Sequence, residues 1–117
     1  MIENNDLTNK EQLTDVAGGI DSNSNINDEV LYLLRISLSI FKTYFTPEDE
    51  EQYFDVKRLH RCIDDALAND DHSNRKFLVD TALLTIDLLF ELKIASFHAA
   101  LIQIQSRLLQ AQEILSK

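Results

Sequence analysis

Tryptophan is absent from the 117-residue chain, glycine occurs twice, and proline, cysteine and methionine occur once each. Each scarcity excludes something. One cysteine rules out an internal disulfide framework and a multi-cysteine zinc site. No apolar run reaches the roughly 18 residues a membrane-spanning helix needs. Positive charge is scarce too: 11 Lys and Arg stand against 20 Asp and Glu, a formal charge of −9. Nucleic-acid binding rests on Lys and Arg replacing phosphate counterions, so nucleic acid is not expected as the main partner. There is no Gly-rich phosphate loop, nucleophile elbow, zinc-protease helix motif or calcium loop with its central glycine. No catalytic residue, cofactor or metal site is predicted, and an enzyme is not expected.

The charge is unevenly placed. Residues 1–28 carry six acids against Lys10 alone, a net of −5, while residues 29–117 carry 14 acids and 10 bases, a net of −4. Both glycines, Gly18 and Gly19, precede the polar run Asp21-Ser22-Asn23-Ser24-Asn25. Such a stretch has too little apolar surface to offset its ordering entropy. Residues 1–26 are therefore expected to form a disordered acidic tail, and residues 27–117 a single domain. That domain contains no glycine and only Pro47. Without breakers it should be helical almost throughout.

Asn27 is placed to cap a first helix running to about Tyr44, with Val30, Leu34, Phe41 and Phe45 on one stripe. Thr46-Pro47-Glu48-Asp49 marks a second start, proline at the first helical position and acids after it. This second helix would bury Val56, Leu59, Ile63 and Leu67, and stop in Asn69-Asp70-Asp71-His72-Ser73-Asn74, with a new cap near Asp71 or Ser73. The third segment, about 74–115, carries a seam from Val79 through Leu83, Ile86, Phe90, Ile94, Phe97, Leu101, Ile104, Leu108 and Ala111 to Leu115. Unbroken, it would extend roughly 60 Å at 1.5 Å per residue. A compact monomer must break it, and Lys93–Ser96 is the expected place, with Ser96 as cap. Around Leu88-Leu89-Phe90 it is apolar on nearly every side, as a central or interface helix is. The expectation is an all-α bundle of three or four helices, or a helical hairpin, that dimerises with coiled-coil-like contacts.

Few side chains point to chemistry. Cys62 reads as a small buried hydrophobe, or as a reactive thiol activated by Arg58 and Arg61. His60, Cys62, Asp64, Asp65, Asp70, Asp71 and His72 match no metal-ligand spacing; Asp64 and Asp65 diverge by about 100° on a helix. His98 would suit a phosphotransfer bundle only with a Lys three residues on and a Gly beside it. Leu101 and Ile102 stand there instead, so it reads as a partly buried bundle histidine. Phe77, Leu84, Leu88, Phe97, Leu101 and Leu108 are the candidate anchors for a dimer or partner interface. Lys57, Arg58, Arg61, Arg75 and Lys76 are the candidates for orienting that partner.

Two segments resemble known families. Leu13-Thr14-Asp15-Val16-Ala17-Gly18-Gly19 resembles a double-glycine leader of exported peptides, with Val16 and Leu13 where the processing transporter reads apolar residues. That resemblance implies cleavage after Gly19 and export of residues 20–117. Tyr44-Phe45, the acid-rich helix start after it, Asn74-Arg75-Lys76-Phe77-Leu78 and Ala100-Leu101-Ile102 are similar to the YmgB/AriR family of enterobacterial two-component connector proteins, over about residues 44–109. This second resemblance implies an all-α dimer that regulates biofilm and acid-stress signalling through protein contacts. The chain differs from that family in its extra N-terminal helix and longer C-terminal segment.

The expected function is that of a small, acidic, non-catalytic regulator or adaptor in the bacterial cytoplasm. It would act by helix-mediated protein binding, as a connector in a signalling or stress pathway. The alternatives are an exported bacteriocin-like precursor, and an immunity protein or secretion chaperone. Intact-mass measurement from the native host separates them: the adaptor reading expects a full-length intracellular species, the export reading a secreted species beginning at Ile20.

Overall fold

Helix formation begins well before the residue expected to cap it. The computed structural model describes residues 18–117, with side chains from Ile26 onward. Its first helix, α1, spans Gly18–Tyr44. Asn27 is therefore inside a helix rather than at its cap. No proline interrupts the stretch before it, and extending an existing helix costs far less than nucleating one. Most of the leader-like segment, and of the tail expected over 1–26, lies outside the described residues.

The Thr46 start is built as the sequence reads. Asp49 N–H donates to Thr46 Oγ1 at 3.1 Å, and Thr46 N–H donates to Asp49 Oδ2 at 2.9 Å. This reciprocal box satisfies two backbone donors at once, with Pro47 occupying a position that needs none. The helix it opens is short, however. α2 (Pro47–Gln52) buries nothing, and the chain leaves helical geometry at Tyr53 before α3 (Phe54–Ala68) begins. One helix was expected here. Tyr53 is extended at φ −124°, ψ 112°, and its ring meets Phe97 edge-on at 5.6 Å. Tertiary packing breaks a helix that nothing local would break.

α4 (His72–Glu91) starts at Asp71, whose side chain accepts from Asn74 N–H at 2.9 Å. α5 (Ala95–Leu115) follows after three residues. The long third segment is thus two antiparallel helices, broken where expected but capped by Ile94 rather than Ser96. Lys93 makes the reversal at φ 56°, its N–H donating to Phe90 O at 3.0 Å. That left-handed conformation usually falls to glycine, and a side chain there costs about 1 kcal/mol.

The four long helices form an antiparallel bundle. α5 packs on α1 and α4, and α3 packs on α4 and α1. Val30, Leu34 and Phe41 from α1 meet Val56, Leu59 and Ile63 from α3, Ile86 and Leu89 from α4, and Leu101, Ile104 and Leu108 from α5 in one core. Each such side chain, fully buried, contributes about 1.5–3 kcal/mol. Polar groups inside are satisfied locally: Ser37 donates to Leu33 O at 2.9 Å, and Thr85 to Thr81 O at 2.8 Å.

Arg75, expected on a partner-facing surface, is buried at 7 % exposure. Its Nε donates to Ala66 O at 2.9 Å and its Nη2 to Asn69 O, closing the free carbonyl end of α3. A basic side chain beside a helix C-terminus also suits the helix dipole. Arg75 holds the α3–α4 corner and does not orient a partner. Arg75→Ala should lower unfolding stability by about 2–3 kcal/mol, the cost of stranding buried acceptors. Arg61→Ala, at an exposed position, should stay within about 0.5 kcal/mol. Urea denaturation followed by circular dichroism reads both.

Candidate functional site

α4 is apolar on two faces. Val79, Ala82, Leu83, Ile86 and Leu89 point into the bundle. On the opposite side Phe77 is 66 % exposed, Leu84 64 % and Leu88 43 %. With Thr81 between them, the spacing 77-81-84-88 is a continuous 4-3-4 stripe, the seam pattern of a helix that packs on another helix. Thr81 fits such a seam, since its hydroxyl already donates to Phe77 O at 2.9 Å.

The six anchors expected from sequence divide evenly. Phe77, Leu84 and Leu88 lie on this outer stripe. Phe97, Leu101 and Leu108 are 4 %, 1 % and 0 % exposed within the single chain. They form its core and are not available to a partner. Their seam is covered because the segment folds back after α4 and packs α5 against α1 and α4.

The α3 side of the stripe carries Arg58, with Phe54 beside it. Arg58 Nε donates to Thr85 Oγ1 at 3.1 Å, its Nη2 lies 3.5 Å from Asp55, and its guanidinium sits 5.8 Å from the centre of the Phe54 ring. Phe54 is 72 % exposed. Further along, Asp65 and Ala68 share a shallow depression with Phe77 and Leu78. The α5 side is acidic. Asp80 accepts from Gln112 at 2.8 Å and pairs with Lys76 at 3.2 Å, while Gln105 reaches Asp87 at 3.5 Å. Of the basic residues expected to orient a partner, Arg58 borders the stripe on one side and Lys76 on the other, while Arg61 lines a depression with Glu50, Lys57, His60 and Asp64. Lys57 is exposed, one position from Arg58.

A second feature was not visible from the sequence. Leu89, Phe90, Lys93, Ile94, Ala95, His98 and Leu101 line an open cleft of about 670 Å³ at the α4–α5 turn. It exists because the turn exists. His98 is exposed rather than partly buried, its ring edge-on to Phe90 at 5.5 Å.

His60 also has partners the sequence only half shows. Nδ1 lies 2.9 Å from Glu50 Oε1 and Nε2 3.2 Å from Asp64 Oδ2, with the ring 4.8 Å from Phe41. Donating to both carboxylates requires the doubly protonated ring. Asp64 is readable as i+4; Glu50 comes from α2 through the break at Tyr53. The arrangement ties α2 to α3. Among the described residues no group of three or more His, Cys, Asp or Glu side chains is placed to hold a metal ion. No helix among them is long and apolar enough to cross a membrane.

No protein-family model, curated protein or solved structure matches the chain. The surface itself must carry the functional reading.

Cys62 shows which of its two readings the structure favours. It is a buried free thiol, and burial pushes its pKa up against the smaller opposing pull of Arg58. Thiolate is the reactive form, so nucleophilicity falls. Alkylation by iodoacetamide at neutral pH should be at least about tenfold slower in the folded chain than after unfolding in guanidinium. Equal rates would show an activated, accessible thiol.

Proposed function

We propose that the protein is a non-catalytic regulator or adaptor that works by helix-mediated protein binding, with the outer face of α4 as its contact surface. The observation that carries this reading is the Phe77–Leu84–Leu88 stripe. A helix in a four-helix bundle needs one apolar stripe, and α4 has two. Exposing large apolar side chains in a row costs solubility, and rows of this kind mark surfaces that associate. The reading includes self-association as a homodimer and placement in the bacterial cytoplasm as a connector between signalling or stress-response components. The stripe is flanked by charge of both signs, which would govern orientation and on-rate more than affinity. The export reading rests on Leu13–Gly19, nearly all of it outside the described residues, and the α4 surface adds nothing to it. An immunity protein or secretion chaperone would use the same kind of surface and differ only in the partner held.

The test compares capture from native lysate by the full chain and by a Phe77→Asp, Leu84→Asp variant, with bound proteins identified by mass spectrometry. A charge in a buried apolar contact should reduce capture of a specific partner more than about 100-fold. Both side chains are exposed, so the circular dichroism melt should shift by no more than a few degrees. Undiminished capture would exclude the α4 face as the binding surface.

A further inference from the structure

We propose that the cleft at the α4–α5 turn binds a small amphipathic carboxylate, with the apolar tail on the floor of the cleft and the charged head at its rim. The proposal stands apart from the adaptor reading, because the cleft shares no residue with the Phe77–Leu84–Leu88 stripe. Its polarity is graded. Leu89 and Leu101, each 1 % exposed, form the floor, and the half-buried Phe90 and Ile94 form the walls. Lys93, Ala95 and His98 are exposed at the rim. The volume of about 670 Å³ lies within the range of small-molecule sites, roughly 300–1,000 Å³.

The rim sets the sign of the head group. The chain has 20 acids against 11 Lys and Arg, yet no acid lines this cleft, and both of its ionisable side chains, Lys93 and His98, are bases. Among the described residues the ion pairs engage Arg58, His60 and Lys76, not Lys93 or His98. The negative end of α4 and the positive end of α5 meet at the turn and offset each other, which leaves the charge to the side chains. Lys93 brings ammonium donors, and the His98 ring carries an N–H in either tautomer. Two donor groups match the two oxygens of a carboxylate. A phosphate or sulfate dianion would have to shed its hydration over an apolar floor that offers too few donors in return. A cation would be repelled by Lys93. The backbone supports the same assignment. Lys93 holds a φ of 56°, a conformation that suits glycine better. A base that bears this cost at the rim of a cleft points to a role for the base itself.

Isothermal titration calorimetry of the full chain with decanoate, below its micelle concentration, should give one saturable site. Octanoate should bind about tenfold more weakly, at about fourfold for each methylene no longer removed from water. Decanol and decylammonium should each bind at least about tenfold more weakly than decanoate, since neither accepts charge-assisted hydrogen bonds from the rim. Lys93→Gly removes the ammonium and relaxes the left-handed backbone, so it should keep the helical circular dichroism and lose about tenfold in affinity. Ala95→Phe fills the cleft from an exposed position and should abolish binding, while Leu84→Asp on the α4 stripe should leave it unchanged. Failure of decanoate to saturate a site overturns the proposal, as does binding indifferent to Ala95→Phe or equal for decanol and decanoate. Binding lost with Leu84→Asp and kept with Ala95→Phe overturns the cleft as its place and assigns the amphiphile to the α4 stripe. Cosedimentation with phosphatidylglycerol vesicles that Lys93→Gly abolishes, without binding of free decanoate, overturns the free carboxylate in favour of a lipid surface.

Discussion

A cluster of aromatic rings at one end of the bundle holds its parts in register. Phe41 and Phe45 stack at 4.7 Å on the last turns of α1, Phe45 meets Phe97 at 4.8 Å, and Tyr53 meets the other side of Phe97 edge-on. His60 packs on Phe41 from α3. α1, the α2–α3 link, α3 and the distant α5 thus converge on one knot. Aromatic pairs at these separations add about 0.5–1.5 kcal/mol each beyond their burial. The geometric effect is larger. Tyr53 can reach Phe97 only if the chain breaks between α2 and α3, and Phe97 can reach Phe45 only if α5 turns back from α4. Both interruptions of regular helix serve the same knot.

Folding back settles how the apolar content of the chain is divided. Residues 74–115 carry more aliphatic side chains than one bundle can cover. Once α5 returns along α4, the seam through Phe97, Leu101 and Leu108 is enclosed by α1 and α4. Part of the surplus, Phe77, Leu84 and Leu88, lies on the outer side of α4, and the rest, Leu92, Ile102 and Leu109, is exposed at the turn and on α5. The stripe proposed as an association surface is part of what remains after the core has taken its share. Its charged edges come from helices that flank it for structural reasons.

The sequence made the all-helical class legible because so little in it could stop a helix. Residues with strong local preferences were read correctly: Thr46 and Pro47 at a helix start, Asp71 at a cap, the core spacing from Val30 to Phe45. Features set by distant contacts were not legible. Tyr53 has no local reason to leave helical geometry, and its reason is Phe97, 44 positions on. Arg75 looked like a surface base because its carbonyl partners belong to the end of another helix. Phe97 and Leu101 looked like interface residues because spacing shows which side of a helix is apolar, but not what covers it. Phe77, Leu84 and Leu88 gave the same signal and had the opposite fate. The difference lies in topology, which the pattern of one segment does not contain.

The turn at Lys93 has the last consequence. Its left-handed backbone is held by a residue with no preference for that conformation, in a stretch where no glycine or proline instructs the chain to reverse. The instruction comes from elsewhere, from the packing of α5 on α1 and α4, with Phe45 meeting Phe97 at 4.8 Å. The hairpin is therefore conditional on α1. Without that docking surface only the packing of α5 on α4 would hold the bend at residue 93, against a local seam that spells out a single rod.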